Sequence, residues 1–314
     1  MIARNIGSRL RQVRAYLCPP TFAALLLPAF ILLAAAPAPD SFRFAIFGDR
    51  TGSTQAGVYE QAWQEAVGDN AAFVVGVGDT IEGLNDASAE QQWQTFERIL
   101  GLYRRYPLYL APGNHDIWSE TSARLFRKYS GHPPHYSFDS GPVHVTVLDN
   151  SRSDQLSADE LDFLDKDLQA HAAQPVKFVI SHRPSWLIDA VLRNPNFAVH
   201  RLARKYGVQY VIAGHVHQLL HVDLDGVTYL SMPSAGGHLR STKSYEDGWF
   251  FGYALVQVTG KRVSLQIKEL KKPYGQSRIT TPVDWGISGL ISSVKLPPQE
   301  QQRNDPPRAL VKSD

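Results

Sequence analysis

The 314-residue chain has a single cysteine, Cys18, close to its N-terminus. One thiol cannot close an intrachain disulfide or build a site of several thiolates, so the fold must be held by its core. A surplus of one charge is missing too: 32 basic residues face 30 acidic ones, a formal +2. Four of the basic residues (Arg4, Arg9, Arg11, Arg14) fall in positions 1–36, which contain no acidic residue; without them 28 basic residues face 30 acidic ones. A body so near neutrality offers no broad attraction to a nucleic-acid backbone. Common catalytic signatures are also absent. There is no Walker A lysine loop, no His-Glu-x-x-His pair and no Gly-x-Ser-x-Gly elbow, which sets aside P-loop, zincin-type and α/β-hydrolase chemistry. Gly76-Val77-Gly78 opens like a dinucleotide fingerprint, but Ile81 stands where the third glycine belongs. No internal repeat is present.

One long apolar run exists, at 21–36 (TFAALLLPAFILLAAA), inside a charge-free stretch from 17 to 39. Arginines before it and alanines at its end make 1–36 an expected export signal, with the mature chain beginning near 37–42. Pro37 and Pro39 crowd the cleavage points, so a retained membrane anchor is the other reading, although the run is short for a comfortable span. Both place the rest of the chain outside the cytoplasm, most simply in a periplasm. Cys18 precedes the apolar run, whereas a lipoprotein acceptor cysteine would follow it.

Hydrophobic residues at 43% and charged residues at 20% describe an ordinary globular protein. From position 42 short apolar runs (42–47, 73–77, 108–110, 143–148, 177–180, 210–213) alternate with helical stretches (59–67, 89–102, 120–129, 158–170, 197–206). That alternation predicts an α/β or layered-sheet protein. Ser157 is placed to N-cap the fourth helix, with Glu160 completing a capping box. Residues 219–224 and 227–230 flank an Asp225-Gly226 turn and read as a hairpin, and 252–258 with 262–270 read as a last strand pair. The domain is expected over 40–270. Residues 271–314 read as a loop-like, partly disordered tail with Pro297-Pro298 and Pro306-Pro307.

Five polar motifs each follow an apolar run: Gly48-Asp49-Arg50-Thr51-Gly52, Gly78-Asp79, Gly113-Asn114-His115-Asp116, Ser181-His182-Arg183-Pro184 and Gly214-His215-Val216-His217. Polar groups at the C-terminal ends of strands fall in the crevice where open α/β sheets bind ligands. A preceding glycine permits the sharp turn and close backbone approach that a metal or phosphate needs. Singly, Gly-Asp is a turn and a histidine is usually structural. Five such motifs in order make coincidence a poor account. His215 and His217, two apart, would share a face if extended. Carboxylates, an amide oxygen and imidazoles together suit manganese, iron or zinc. The other histidines (His132, His135, His144, His171, His200, His221, His238) are assigned to structure or surface. His238 is set apart from them because its Gly236-Gly237 loop follows the hairpin and would overhang the crevice. Trp118 and Trp186, close after two of the motifs, are candidates for pocket wall or core.

The order GD, GD, GNHD, H, GHxH resembles the calcineurin-like metallophosphoesterases, a superfamily that includes purple acid phosphatases and cyclic-nucleotide phosphodiesterases. The resemblance runs from about residue 42 to 270. It implies a four-layered α/β/β/α sandwich and hydrolysis of a small phosphate-ester substrate at a two-metal site. By position, Asp79 would bridge the two metals, Asp49 and His217 would bind the first, and Asn114, His182 and His215 the second. His115, oriented by Asp116, would face the scissile phosphate. Two metals about 3.5–4 Å apart clamp the phosphate and activate a water near neutral pH.

Members commonly carry histidine two residues after the first aspartate; here that residue is Thr51. Purple acid phosphatases also lack it, and supply a tyrosine three residues beyond the bridging aspartate. Glu82 has that offset here and is expected to replace it, favouring manganese or iron over zinc. Arg50 and Thr51, with Asn114 and His115, would contact substrate phosphate. The rival expectation is an inactive relative that binds a phosphorylated ligand or a protein partner through the same crevice.

Overall fold

A computed structural model of the protein describes residues 41–285. The expected export segment at 1–36 and the tail beyond 285 lie outside the described residues. Among those described, no helix is long and apolar enough to cross a membrane.

In chain order the strands are β1 (Ser41–Phe47), β2 (Ala71–Gly76), β3 (Leu108–Leu110), β4 (Tyr136–Ser140), β5 (Val143–Val147), β6 (Val176–Ile180), β7 (Tyr210–Ala213), β8 (Leu220–Leu224), β9 (Val227–Ser231), β10 (Gly252–Thr259), β11 (Arg262–Glu269) and β12 (Ile279–Thr280). The helices are α1 (Val58–Gly68), α2 (Asp86–Leu100), α3 (Glu120–Ser130), α4 (Ala158–Ala170), α5 (Leu187–Val191), α6 (Ala198–Tyr206) and α7 (Pro282–Trp285). Two six-stranded sheets form, ordered β12-β11-β10-β1-β2-β3 and β4-β5-β6-β7-β9-β8. The first has a parallel part, β1-β2-β3, continued on one side by antiparallel β10, β11 and β12, and the second has a parallel core, β5-β6-β7-β9, edged by antiparallel β4 and β8.

Strands buried on both faces read as unbroken apolar runs, and three separate clusters show why. Phe44, Ile46, Phe73 and Val75 of the first sheet pack against Val143, Val145, Val147, Phe178 and Ile180 of the second. The reverse face of the first sheet (Ala45, Phe47, Val74) buries Trp63 of α1, Trp93 and Phe96 of α2 and Phe126 of α3. The reverse face of the second (Val179, Val211, Tyr229) buries Leu164 and Leu168 of α4 and Val199 and Ala203 of α6. Helices, sheet, sheet, helices: this is the four-layered sandwich.

Several local expectations change. Residues 271–285 do not simply trail away: β12 pairs with β11, and α7 follows. Ser157 caps α4 by accepting from the Glu160 N–H at 3.2 Å. The Glu160 carboxylate does not close the box, because it is held by His135 and by the Asp149 N–H. A capping box appears instead at α3, between Ser119 and Ser122. The Asp225-Gly226 hairpin turn is present, with φ of 47° and 80°.

Candidate metal centre

Asp49 follows β1, Asp79 follows β2, and Asn114 and His115 follow β3; His182 follows β6, and His215 and His217 follow β7. All five motifs therefore meet at the C-terminal ends of parallel strands, three from one sheet and two from the other. Close packing there depends on glycine. A Cβ on Gly78, whose φ is 108°, would lie 2.5 Å from His182 Nδ1, and one on Gly113 would lie 2.2 Å from Asp79 Oδ1. Asp79, His215 and His217 themselves hold left-handed backbone, with φ of 53°, 70° and 61°. Non-glycine residues adopt that conformation at a cost, and such positions concentrate at functional sites. His215 and His217 are thus not extended neighbours sharing a face. They turn to two different halves of the centre.

The second half gathers around His182 Nε2. Asn114 Oδ1 lies 3.0 Å from it, His215 Nδ1 3.1 Å and Asp79 Oδ1 3.3 Å. His182 Nδ1 is 3.0 Å from the Val77 carbonyl; a carbonyl only accepts, so the proton sits on Nδ1 and Nε2 is presented to the cluster. The first half holds Asp49, Asp79 and His217, with His217 Nε2 3.3 Å from Asp49 Oδ2. His217 Nδ1 faces the His238 carbonyl at 2.8 Å and is oriented in the same way. Asp79 belongs to both groups.

The electrostatics show closely coupled charges. Burial opposes ionisation of Asp79, but the imidazoles of His182 and His115 hold its pKa well below the usual range. Burial likewise opposes protonation of His182, while Asp79 and Asp49 raise its pKa to about 9. Burial, His182 and Arg183 push His215 down to about 4, so its imidazole is neutral at ordinary pH. The donor set fits a pair of cations on one further observation: Asp79 Oδ2 is buried without a hydrogen-bond partner among the described residues. A buried ionised oxygen without a hydrogen bond is expensive, and a cation held there would satisfy it.

Three expectations are corrected. Glu82 does not join the first half. Its carboxylate accepts from the Thr54 N–H and hydroxyl at 2.7 and 2.6 Å and from the Ser53 N–H at 3.2 Å, tying down the loop beside it. The Thr51 hydroxyl is buried within 2.8 and 2.6 Å of the Asp79 and Ile81 carbonyls, and Arg50 donates to the Thr80 carbonyl beneath the rings of Tyr59 and Phe96. Both brace the motifs from behind, with their polar atoms turned to backbone carbonyls rather than to the donor cluster. Asp116 does not orient His115 either. It is fully buried and accepts from the Gly113, Thr80 and Ile81 N–H groups, locking two motif loops together; burial and the charge of Asp79 raise its pKa to about 7. The His115 ring is positioned by the Glu82 carbonyl, 2.5 Å from Nδ1, leaving Nε2 4.0 Å from Asp79 Oδ2.

The loop after β9 does overhang the centre. It also brings in Arg240, which the sequence reading missed; the flag on His238, two residues before it, was the available signal. Trp186 is core under the second sheet, and half-buried Trp118 packs on the helical side of the first.

Comparisons with known proteins agree with this geometry. A sequence model described as calcineurin-like phosphoesterase matches residues 42–219, more than half of the chain. The 3',5'-cyclic adenosine monophosphate phosphodiesterase CpdA of Escherichia coli is 26% identical over 171 residues, covering 52% of this chain and 60% of that protein's length. Human tartrate-resistant acid phosphatase type 5 is 26% identical over 305 residues, covering 77% of this chain and 90% of its own. Purple acid phosphatase PPD1 from yellow lupin shares the fold with a TM-score of 0.58 at 17% identity, over 77% of this chain and 53% of the lupin chain. The chain belongs to the calcineurin-like phosphoesterase family.

Proposed function

We propose that the protein hydrolyses small phosphate esters at a dinuclear metal centre. The observation that carries this reading is the pair of donor groups sharing Asp79, whose Oδ2 is otherwise bare. Asp49, Asp79 and His217 would hold one ion, and Asp79, Asn114, His182 and His215 the other. Bound there, two cations supply Lewis-acid stabilisation of the phosphoryl oxygens and a water made acidic enough to act as nucleophile near neutral pH. The donors are carboxylates, an amide oxygen and imidazoles with no thiolate, which suits manganese, iron or zinc. With Glu82 turned away, the argument that a third carboxylate favours manganese or iron no longer holds.

His115 is the residue left for proton transfer. Its Nδ1–H donates to the Glu82 carbonyl, fixing the ring, and its free Nε2 faces the centre. In the Michaelis complex that nitrogen, once the ring carries its second proton, would donate to the leaving oxygen or offset its charge. Asn114 and His115 are the motif residues positioned to contact a phosphate. The relatives include a cyclic-nucleotide phosphodiesterase and acid phosphatases, so both diesters and monoesters belong in the test. A panel of 4-nitrophenyl phosphate, its bis-ester and cyclic nucleotides, offered to metal-reconstituted protein, should show turnover of at least one. A preparation that binds metal and turns over none would favour the rival reading of a phosphoryl-ligand binder. We also place the mature domain outside the cytoplasm, on the strength of residues 1–36; finding the protein with that segment intact in a cytoplasmic fraction would end this placement.

A further inference from the structure

The two halves of the centre are unequal. The second presents four donor atoms within 3.0–3.3 Å contacts around His182 Nε2. Among the described residues the first presents only Asp49, His217 and the shared Asp79, because Thr51 and Glu82 are occupied elsewhere. Into that poorer half reaches a cation of the chain itself. Arg240 Nη2 lies 3.5 Å from His217 Nε2, the nitrogen that would bind the first metal.

Its placement is built into the fold. The loop leading to Arg240 is stitched to the first motif: the Ala235 and Gly237 N–H groups both donate to the Asp49 carbonyl, at 3.0 and 3.1 Å, and the His238 N–H donates to the Gly52 carbonyl at 3.0 Å. A Cβ on Gly237 would lie 2.0 Å from the Thr51 carbonyl, so only glycine permits this close approach of the loop to the first motif. His238, fixed in this way, both orients His217 and delivers Arg240 two residues on. Among the described residues no carboxylate lies within ion-pairing distance of Arg240.

We propose that Arg240 and the first metal ion exclude each other, so that Arg240 sets the occupancy of this half-site. A metal needs His217 Nε2 bare, and it would place a dication against the guanidinium that now lies 3.5 Å from that nitrogen. The protein therefore holds one ion firmly in the second half and a second ion weakly in the first. When a phosphate ester enters, its oxygens give the guanidinium another partner. This rests on the proposed dinuclear site.

Calorimetric titration of metal-stripped protein with manganese(II) tests it without any assay of turnover. Wild type should bind one tight and one weak equivalent, and Asp49→Asn should abolish the weak one, assigning it to the first half. Arg240→Gln should tighten the weak equivalent by about 5–150-fold, the usual span of a coupling between sites, and leave the tight one unchanged. Arg240→Lys, which keeps the charge, should stay near wild type. Two equally tight equivalents in wild type, or an unchanged or weakened second equivalent in Arg240→Gln, would overturn the exclusion. Absence of any manganese binding in all four proteins would instead remove the metal-centre reading beneath it.

Discussion

Thr51 stands where relatives of this type commonly carry a histidine, and the fold uses it as a strut: its buried hydroxyl sits on the Asp79 and Ile81 carbonyls. The five motifs were legible in the sequence because each pairs a glycine with a donor directly after an apolar run. What was not legible was the direction of the residues beside them. Spacing alone could not tell that the Glu82 side chain would turn to the Thr54 N–H while its carbonyl turned to His115. Glu82→Ala should therefore leave bound metal unchanged, while stability falls by about 1–3 kcal/mol through loss of its hydrogen bonds. Elemental analysis and urea unfolding read the two separately, and loss of metal would restore Glu82 as a ligand. His115→Ala should keep both metals and lose turnover by about 10²–10⁴-fold, the range for a positioned acid. Metal lost along with turnover would make His115 a ligand instead.

At the level of elements, the long strands and helices were read within a few residues, because the inner strands are apolar runs and the helices and β11 keep a regular alternation of buried and exposed positions. The misses were short or weakly marked: β4 lies between Pro133-Pro134 and Gly141-Pro142, α5 is a single turn or so, and β12 is two residues that gain meaning only by pairing with β11. Beside β4, a second cluster of acids and imidazoles ties the sheet edge to α4. His144 is buried with Nδ1 2.7 Å from Asp139 Oδ1 and Nε2 2.9 Å from Asp167 Oδ2, and His171 stacks on its ring at 3.9 Å with an interplanar angle of 17°. Nearly parallel rings aim their lone pairs side by side, so the arrangement serves an imidazolium clamp better than a metal. Burial opposes the charge on His144, but Asp167 and Asp139 raise its pKa above 6.5, and His144 in turn holds both carboxylates below 3.8 against their own burial. The histidine's contribution is complete below pH 6.5 and lost as pH rises through its raised value. The carboxylates' contribution is present above pH 3.8 and lost below it. Unfolding free energy of wild type relative to His144→Gln, measured from pH 5 to 9, should decline on the alkaline side. A flat difference would show that His144 is not held as a cation.

Across the whole molecule, the two sheets bring five strand ends to one seam, and the centre exists only when both sheets are in place. Asp49, Asp79 and Asn114 come from one sheet; His182, His215 and His217 come from the other. Metal binding should then stabilise the sandwich as a unit, since an ion held by both sheets binds the folded chain alone. The alternating pattern and the motif order together are enough to specify the architecture. The approach of Arg240 to the first half was not visible, because it depends on a loop from beyond β9 folding back over β1. The most direct test of the account is the rate of 4-nitrophenyl phosphate and bis-ester hydrolysis by metal-stripped protein as manganese(II) is titrated in, beside Asp79→Asn. The account predicts turnover that rises with bound metal in the wild type, and a variant that loses metal from both halves and hydrolyses neither ester. Hydrolysis by Asp79→Asn at the wild-type rate with two metals bound, or a fully loaded wild type inactive on every ester offered, would contradict it.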